Sequence, residues 1–100
     1  VVLTGKEFVD RNEPIRLKCN ATGGPKIPED IDWFKDGTKL DTRGSRDPNI
    51  VLTKFMSLED QALISELFIE HTDTDDSGTY ICRSSDREIG SLKVTVLVGE

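Results

Sequence analysis

Asp76-Ser77-Gly78-Thr79-Tyr80-Ile81-Cys82 carries more structural information than any other stretch of this 100-residue chain. Tyr80 and Cys82 stand two apart, so in an extended strand both point to one face while Ile81 points to the other. Cys82 is therefore a core residue. Gly78 sits between the acidic turn and the tyrosine, where the chain reverses and no Cβ is wanted. Working outward, Cys19 lies in the alternating run Ile15-Arg16-Leu17-Lys18-Cys19-Asn20-Ala21, and Trp33 lies in Ile31-Asp32-Trp33-Phe34-Lys35. Both hold inward positions of period-two strands.

Cys19, Trp33 fourteen residues on, and Asp-x-Gly-x-Tyr-x-Cys near the end of an all-strand pattern resemble the immunoglobulin superfamily. The resemblance spans residues 1–100 as a single domain, most like the I-set domains of adhesion molecules and receptor ectodomains. It implies an all-β, two-sheet Greek-key sandwich in which Cys19 and Cys82 bridge the sheets, Trp33 packs on the bridge, and the Tyr80 hydroxyl bonds back to the corner before its strand. Such a bridge, between cysteines 63 residues apart, removes unfolded-chain entropy worth about 4 kcal/mol in the loop-closure account.

The resemblance also implies aliphatic residues fifteen and thirteen positions before Cys82, which are Leu67 and Ile69. That register turns Leu63, Ser65, Leu67 and Ile69 inward and Ile64 and Phe68 outward; a slip of one residue would exchange the two sets. The acid six before the cysteine, Asp76, is expected to pair with an arginine entering the strand near residue 49, Arg46 first and Arg43 second. Thr72 stands where the family usually has an aliphatic residue, which is expected to weaken that corner.

Composition narrows the setting. A hydrophobic fraction of 35% with six aromatics gives a modest core, for which a covalent staple is useful. Two cysteines at inward positions of this spacing argue for an oxidising compartment; the alternative is a pair of buried free thiols, as intracellular muscle domains of the family carry. Asn20-Ala21-Thr22 is an N-glycosylation sequon, and Asn20, next to inward Cys19, is expected to face solvent. Together they point to a secreted or cell-surface origin. No apolar signal segment or bilayer-length run is present, and the chain reads as a domain cut from a longer ectodomain. The net charge of −6 argues against nucleic acid or heparin, leaving protein as the expected partner.

In chain order, 1–9 reads as an edge strand that breaks at Gly5 and switches sheets, and 10–14 as a turn. The Gly- and Pro-rich 23–30 is a loop in which Ile27 tucks onto the end of the sandwich. Asp36-Gly37 is a hairpin turn returning a short strand at 38–40. A charged crossover at 41–48 leads to strands at 49–56 and 61–70, with a turn at 57–60 between them. After the Cys82 strand, 84–90 reads as a loop and 91–98 as a final strand with Leu92, Val94, Val96 and Val98 on one face. His71, the only histidine, has no second histidine, cysteine or nucleophile beside it and receives no role. Asp73-Thr74-Asp75-Asp76 lacks EF-hand spacing, so a structural role is favoured over calcium. No cofactor is implied.

On this fold, function is written on the surface. Phe34 and Ile81 face outward on adjacent strands of the sheet that the family letters C, F and G, with Asp32, Arg83, Lys93 and Thr95 around them. An apolar centre in a charged rim is how a modest protein interface is built. The primary expectation is an extracellular recognition module binding itself or another immunoglobulin-type ectodomain through this face. The alternative is a structural spacer in a tandem array, for which the same face would tolerate substitution. An enzyme would need an activated nucleophile or metal cluster, and neither is visible.

Overall fold

The computed structural model describes residues 1–22, 26–40 and 50–98. Among these residues nine strands follow in chain order: β1 Val2–Gly5, β2 Phe8–Asp10, β3 Ile15–Thr22, β4 Ile31–Lys35, β5 Thr38–Leu40, β6 Ile50–Ser57, β7 Ala62–Ile69, β8 Gly78–Ser84 and β9 Ile89–Leu97. They form two packed sheets, one of four strands in the order β1-β3-β7-β6 and one of five in the order β2-β9-β8-β4-β5. The N-terminal segment changes sheets as its sequence predicts. β1 pairs antiparallel with β3, and β2 pairs parallel with β9. Gly5 ends β1 where a Cβ would lie 2.5 Å from Leu17 Cδ2 and 3.1 Å from the Arg16 carbonyl, so a larger residue could not make this approach.

The alternating runs bury one face each. Ile15, Leu17, Cys19 and Ala21 of β3 meet Leu63, Leu67 and Ile69 of β7, Ile31 and Trp33 of β4, Tyr80 and Cys82 of β8, and Val94 and Val96 of β9 in one apolar core. Ile27 packs against its end, as expected. Fully burying a side chain of this size contributes about 1.5–3 kcal/mol.

Two links cross the sandwich side by side. Cys19 and Cys82 form a disulfide with their Cα atoms 6.4 Å apart. Ser65 lies directly opposite Cys19, and Trp33 directly opposite Cys82. The Trp33 indole N–H donates to Ser65 Oγ at 2.7 Å, and the Ser65 hydroxyl donates to the Thr53 carbonyl at 2.7 Å. The polar atoms of this buried serine and tryptophan are thus satisfied in series. Near the start of β8 the Tyr80 hydroxyl donates back to the Asp76 carbonyl at 2.5 Å.

Several expectations need correction. Thr72 does not weaken its corner: it is buried, its hydroxyl donates to the Glu13 carbonyl at 2.7 Å, and its carbonyl accepts from Asn12 N–H at 3.0 Å. The hydroxyl joins the turn after β2 to the end of β7, which an aliphatic side chain could not do. Ile64 faces outward by register yet is only 5% exposed, because Asn20 and Phe55 flank it on either side; it stands apart from the core cluster. The expected loop at 84–90 shrinks to four residues, closed by Ser84 N–H to the Glu88 carbonyl and Arg87 N–H to the Ser84 carbonyl, both 2.9 Å. Val98 lies beyond the end of β9 and is exposed, so only Leu92, Val94 and Val96 form the inward row.

The acidic run forms a single 3-10 turn, Thr74–Asp76, with its own capping box. Asp73 accepts from Thr74 N–H at 2.7 Å and Asp76 accepts from Asp73 N–H at 2.9 Å. Both carboxylates accept from local backbone and Asp73 also pairs with Arg11 at 3.3 Å; among the described residues no group of three or more His, Cys, Asp or Glu could hold a metal. Arg43 and Arg46, the expected partners of Asp76, lie outside the described residues.

Candidate site on the outer face of the five-stranded sheet

The Asp36-Gly37 turn sets the register of this face. Asp36 has φ 49° and Gly37 φ 85°, the left-handed pair that a two-residue hairpin requires and that Asp-Gly supplies with little strain. Asp36 is anchored twice more, through its N–H to the Thr79 carbonyl and through its carboxylate to Thr79 N–H, both 3.0 Å. Gly78 leaves room for that carboxylate, since a Cβ there would fall 2.5 Å from Asp36 Oδ2.

With β5, β4, β8 and β9 so aligned, Phe34 pairs across to Lys39 on one side and Ile81 on the other. Ile81 pairs on to Ser91. One row further, Asp32 pairs with Arg83, and Arg83 with Ile89. The Arg83 guanidinium lies over the Phe34 ring at 4.9 Å from its centroid and donates to Asp32 Oδ2 at 3.4 Å. Lys39 Nζ stands 3.7 Å from the other Asp32 oxygen. One carboxylate therefore holds two cations beside an aromatic ring. Phe34 and Ile81 are half-buried, partly by the arginine stacked above. Beside them a hollow of about 470 Å³ is lined by Asp32, Arg83, Ser84, Ser85 and Arg87.

The structure brings together Phe34, Ile81, Asp32 and Arg83 from the expected set. Lys93 lies one row from Ile81, opposite Thr79. Thr95 does not border the pair; it lies opposite Phe8 of β2, further along β9. Sequence reasoning missed Lys39, Ser91 and the 63% exposed Ile89. Lys39 was countable, because a two-residue turn at 36–37 places 39 opposite 34. Ile89 carried no such signal while its segment read as loop.

Elsewhere, Asn20 is outward but only half exposed, and its Oδ1 is enclosed with no hydrogen-bond partner among the described residues. The Lys54 ammonium, from β6, forms an ion pair with Asp30 just before β4 and joins the two sheets at their open edge. The hydrogen bond from Lys54 outweighs burial and holds the Asp30 carboxyl below its ordinary range. Among the described residues, no helix is long and apolar enough to cross a membrane.

The family profile described as "Immunoglobulin domain" matches residues 2–85. Human hemicentin-1 is 32% identical over 91 residues, which is 91% of this chain and 1% of that protein. The crystal structure of Dpr2 Ig1-Ig2 in complex with DIP-Theta Ig1-Ig3 superposes with a TM-score of 0.77 at 21% identity, over 97% of this chain and 48% of that one. The ZIG-8 IG1 homodimer gives 0.66 at 23% identity, over 95% of this chain and 82% of that one. At these identities the structural likeness speaks for the fold alone.

Proposed function

The chain belongs to the immunoglobulin domain family, and we propose that it is an extracellular recognition module that binds another immunoglobulin-type ectodomain through the outer face of its five-stranded sheet. The observation that carries this reading is the registered centre of Phe34 and Ile81 beneath Arg83, with Asp32 and Lys39 fixed at its rim. Apolar area capped by a pre-positioned arginine is the composition of an interface centre. The relatives in complex, Dpr2 with DIP-Theta and the ZIG-8 homodimer, lend support by being immunoglobulin domains bound to one another.

Charge favours an unlike partner over a second copy. Lys39, Arg83 and Lys93 face Asp32 and Asp36 on the rows around the pair, so this face keeps one net positive charge in a chain of net charge −6. Two such faces meeting would bring like charges together, whereas a partner rimmed with carboxylates would be drawn in. The disulfide suits an oxidising, extracellular setting.

Sedimentation at low and moderate salt tests this, with an acidic-faced copy carrying Lys39→Glu and Lys93→Glu as the partner probe. Wild type should associate more strongly with that copy than with itself, and salt should weaken the mixed complex. Phe34→Ala with Ile81→Ser should abolish it without a matching loss of thermal stability. A wild-type chain that stays monomeric alone and in the mixture overturns the reading.

A further inference from the structure

The opposite sheet carries a second site. Asn20 and Thr22 stand two apart on β3, both outward on the four-stranded sheet, with Ala21 buried between them. The sequon is thus presented on one face of a strand, with Thr22 exposed. Beside it, an open groove of about 300 Å³ runs between β1 and β3, lined by Val2, Thr4, Lys18, Asn20 and Thr22. Val2 is opposite Asn20 and Thr4 opposite Lys18, so the groove floor is one apolar side chain, two threonine methyls and a lysine stem. Hydroxyl and ammonium groups border it. That mixture suits a sugar ring, which has apolar C–H faces and a hydroxyl rim.

The Asn20 side chain is outward and half exposed, with its Oδ1 enclosed. β1 is also the edge of its sheet, with only four residues paired to β3.

We propose that Asn20 carries an N-linked glycan whose first N-acetylglucosamine lies in the groove between β1 and β3. In the transfer, Asn20 Nδ2 displaces a lipid diphosphate from the anomeric carbon of a lipid-linked oligosaccharide. The C1–O bond breaks, the C1–N bond forms, and the amide gives one proton to a base of the transferase. Transfer occurs on the extended chain before folding, and β3 keeps the site extended afterwards. The glycan commits the four-stranded face to sugar and leaves the Phe34 and Ile81 face open.

This inference rests on the extracellular reading. The chain is expressed with an added secretory leader in mammalian cells and mapped by mass spectrometry. One oligosaccharide is expected on the Asn20 peptide, lost in Thr22→Ala and kept in Thr22→Ser. Material trimmed to a single N-acetylglucosamine is then compared by hydrogen exchange with the same sequence made without glycan and with its disulfide formed. Slower exchange across Val2–Gly5 in the glycosylated chain supports the groove placement. A bare Asn20 in secreted, disulfide-bonded chain overturns the site, and a glycan that leaves β1 exchange unchanged overturns its seating. Because the leader imposes the compartment, these failures are separate from failure of the recognition reading, which shows in sedimentation.

Discussion

Each sheet presents one arginine over one phenylalanine on its outer face, and the two pairs are built differently. On the four-stranded sheet Arg16 is directly opposite Phe68, its guanidinium 5.1 Å from the ring centroid. On the five-stranded sheet Arg83 reaches diagonally to Phe34 while Asp32, its direct neighbour, fixes the guanidinium from the side. The isoleucines differ in the same sense. Ile64 is enclosed between Asn20 and Phe55, whereas Ile81 keeps part of its surface open. Similar residues at similar outward positions thus become a closed covering on one side and an open, charged rim on the other. Lateral neighbours decide which, since inward or outward phase is the same for both.

The largest test of this contrast lies in the isoleucines. Ile64→Ala should cost about 2–3 kcal/mol in urea unfolding, near the low end for buried aliphatic truncations because the site borders solvent. Ile81→Ser should cost about 1 kcal/mol or less, as partly exposed positions do. Equal losses would break the contrast. Next in size is Ser65, which adjoins Ile64 in sequence but points inward. Ser65→Ala strands the Trp33 indole N–H and should cost about 1–3 kcal/mol, read from the same unfolding curves. A neutral result would mean that the outer residue outweighs its inner neighbour.

The smallest effect concerns the ion pair of Lys54 and Asp30, which joins the two sheets at the surface. Both side chains are half exposed, so the pair contributes only about 0–1 kcal/mol. Lys54 depresses the folded carboxyl, so the contribution is present above the unfolded aspartate value of about 3.9 and is lost as pH falls through the folded one. Thermal melts of wild type and Lys54→Met should therefore differ slightly at pH 7 and converge in acid. A gap that persists in acid would assign the effect to packing of the lysine stem.

Cys19, Trp33, Tyr80 and Cys82 made the sandwich legible because their phase and spacing report burial directly. Asp36-Gly37 made the hairpin legible because two residues at positive φ leave one register. The candidate site was legible in part: phase alone placed Phe34 and Ile81 outward. It did not place Thr95, whose neighbour Phe8 comes from a parallel strand far away in sequence. Nor did it reveal the burial of Ile64, which depends on side chains from strands on either side. Thr72 misled because an aliphatic pattern has no term for a hydroxyl that reaches two carbonyls of a distant turn.

The indole bond from Trp33 to Ser65 also has a mechanical meaning. A lone tether keeps two layers from separating but lets them pivot about it. The sulfur bridge and the indole bond join neighbouring strand pairs, about 4.8 Å apart, and so give the sandwich two anchor points. A pull applied off-centre to the face around Phe34 then becomes torque that both layers resist together, so the two sheets keep their relative angle under load.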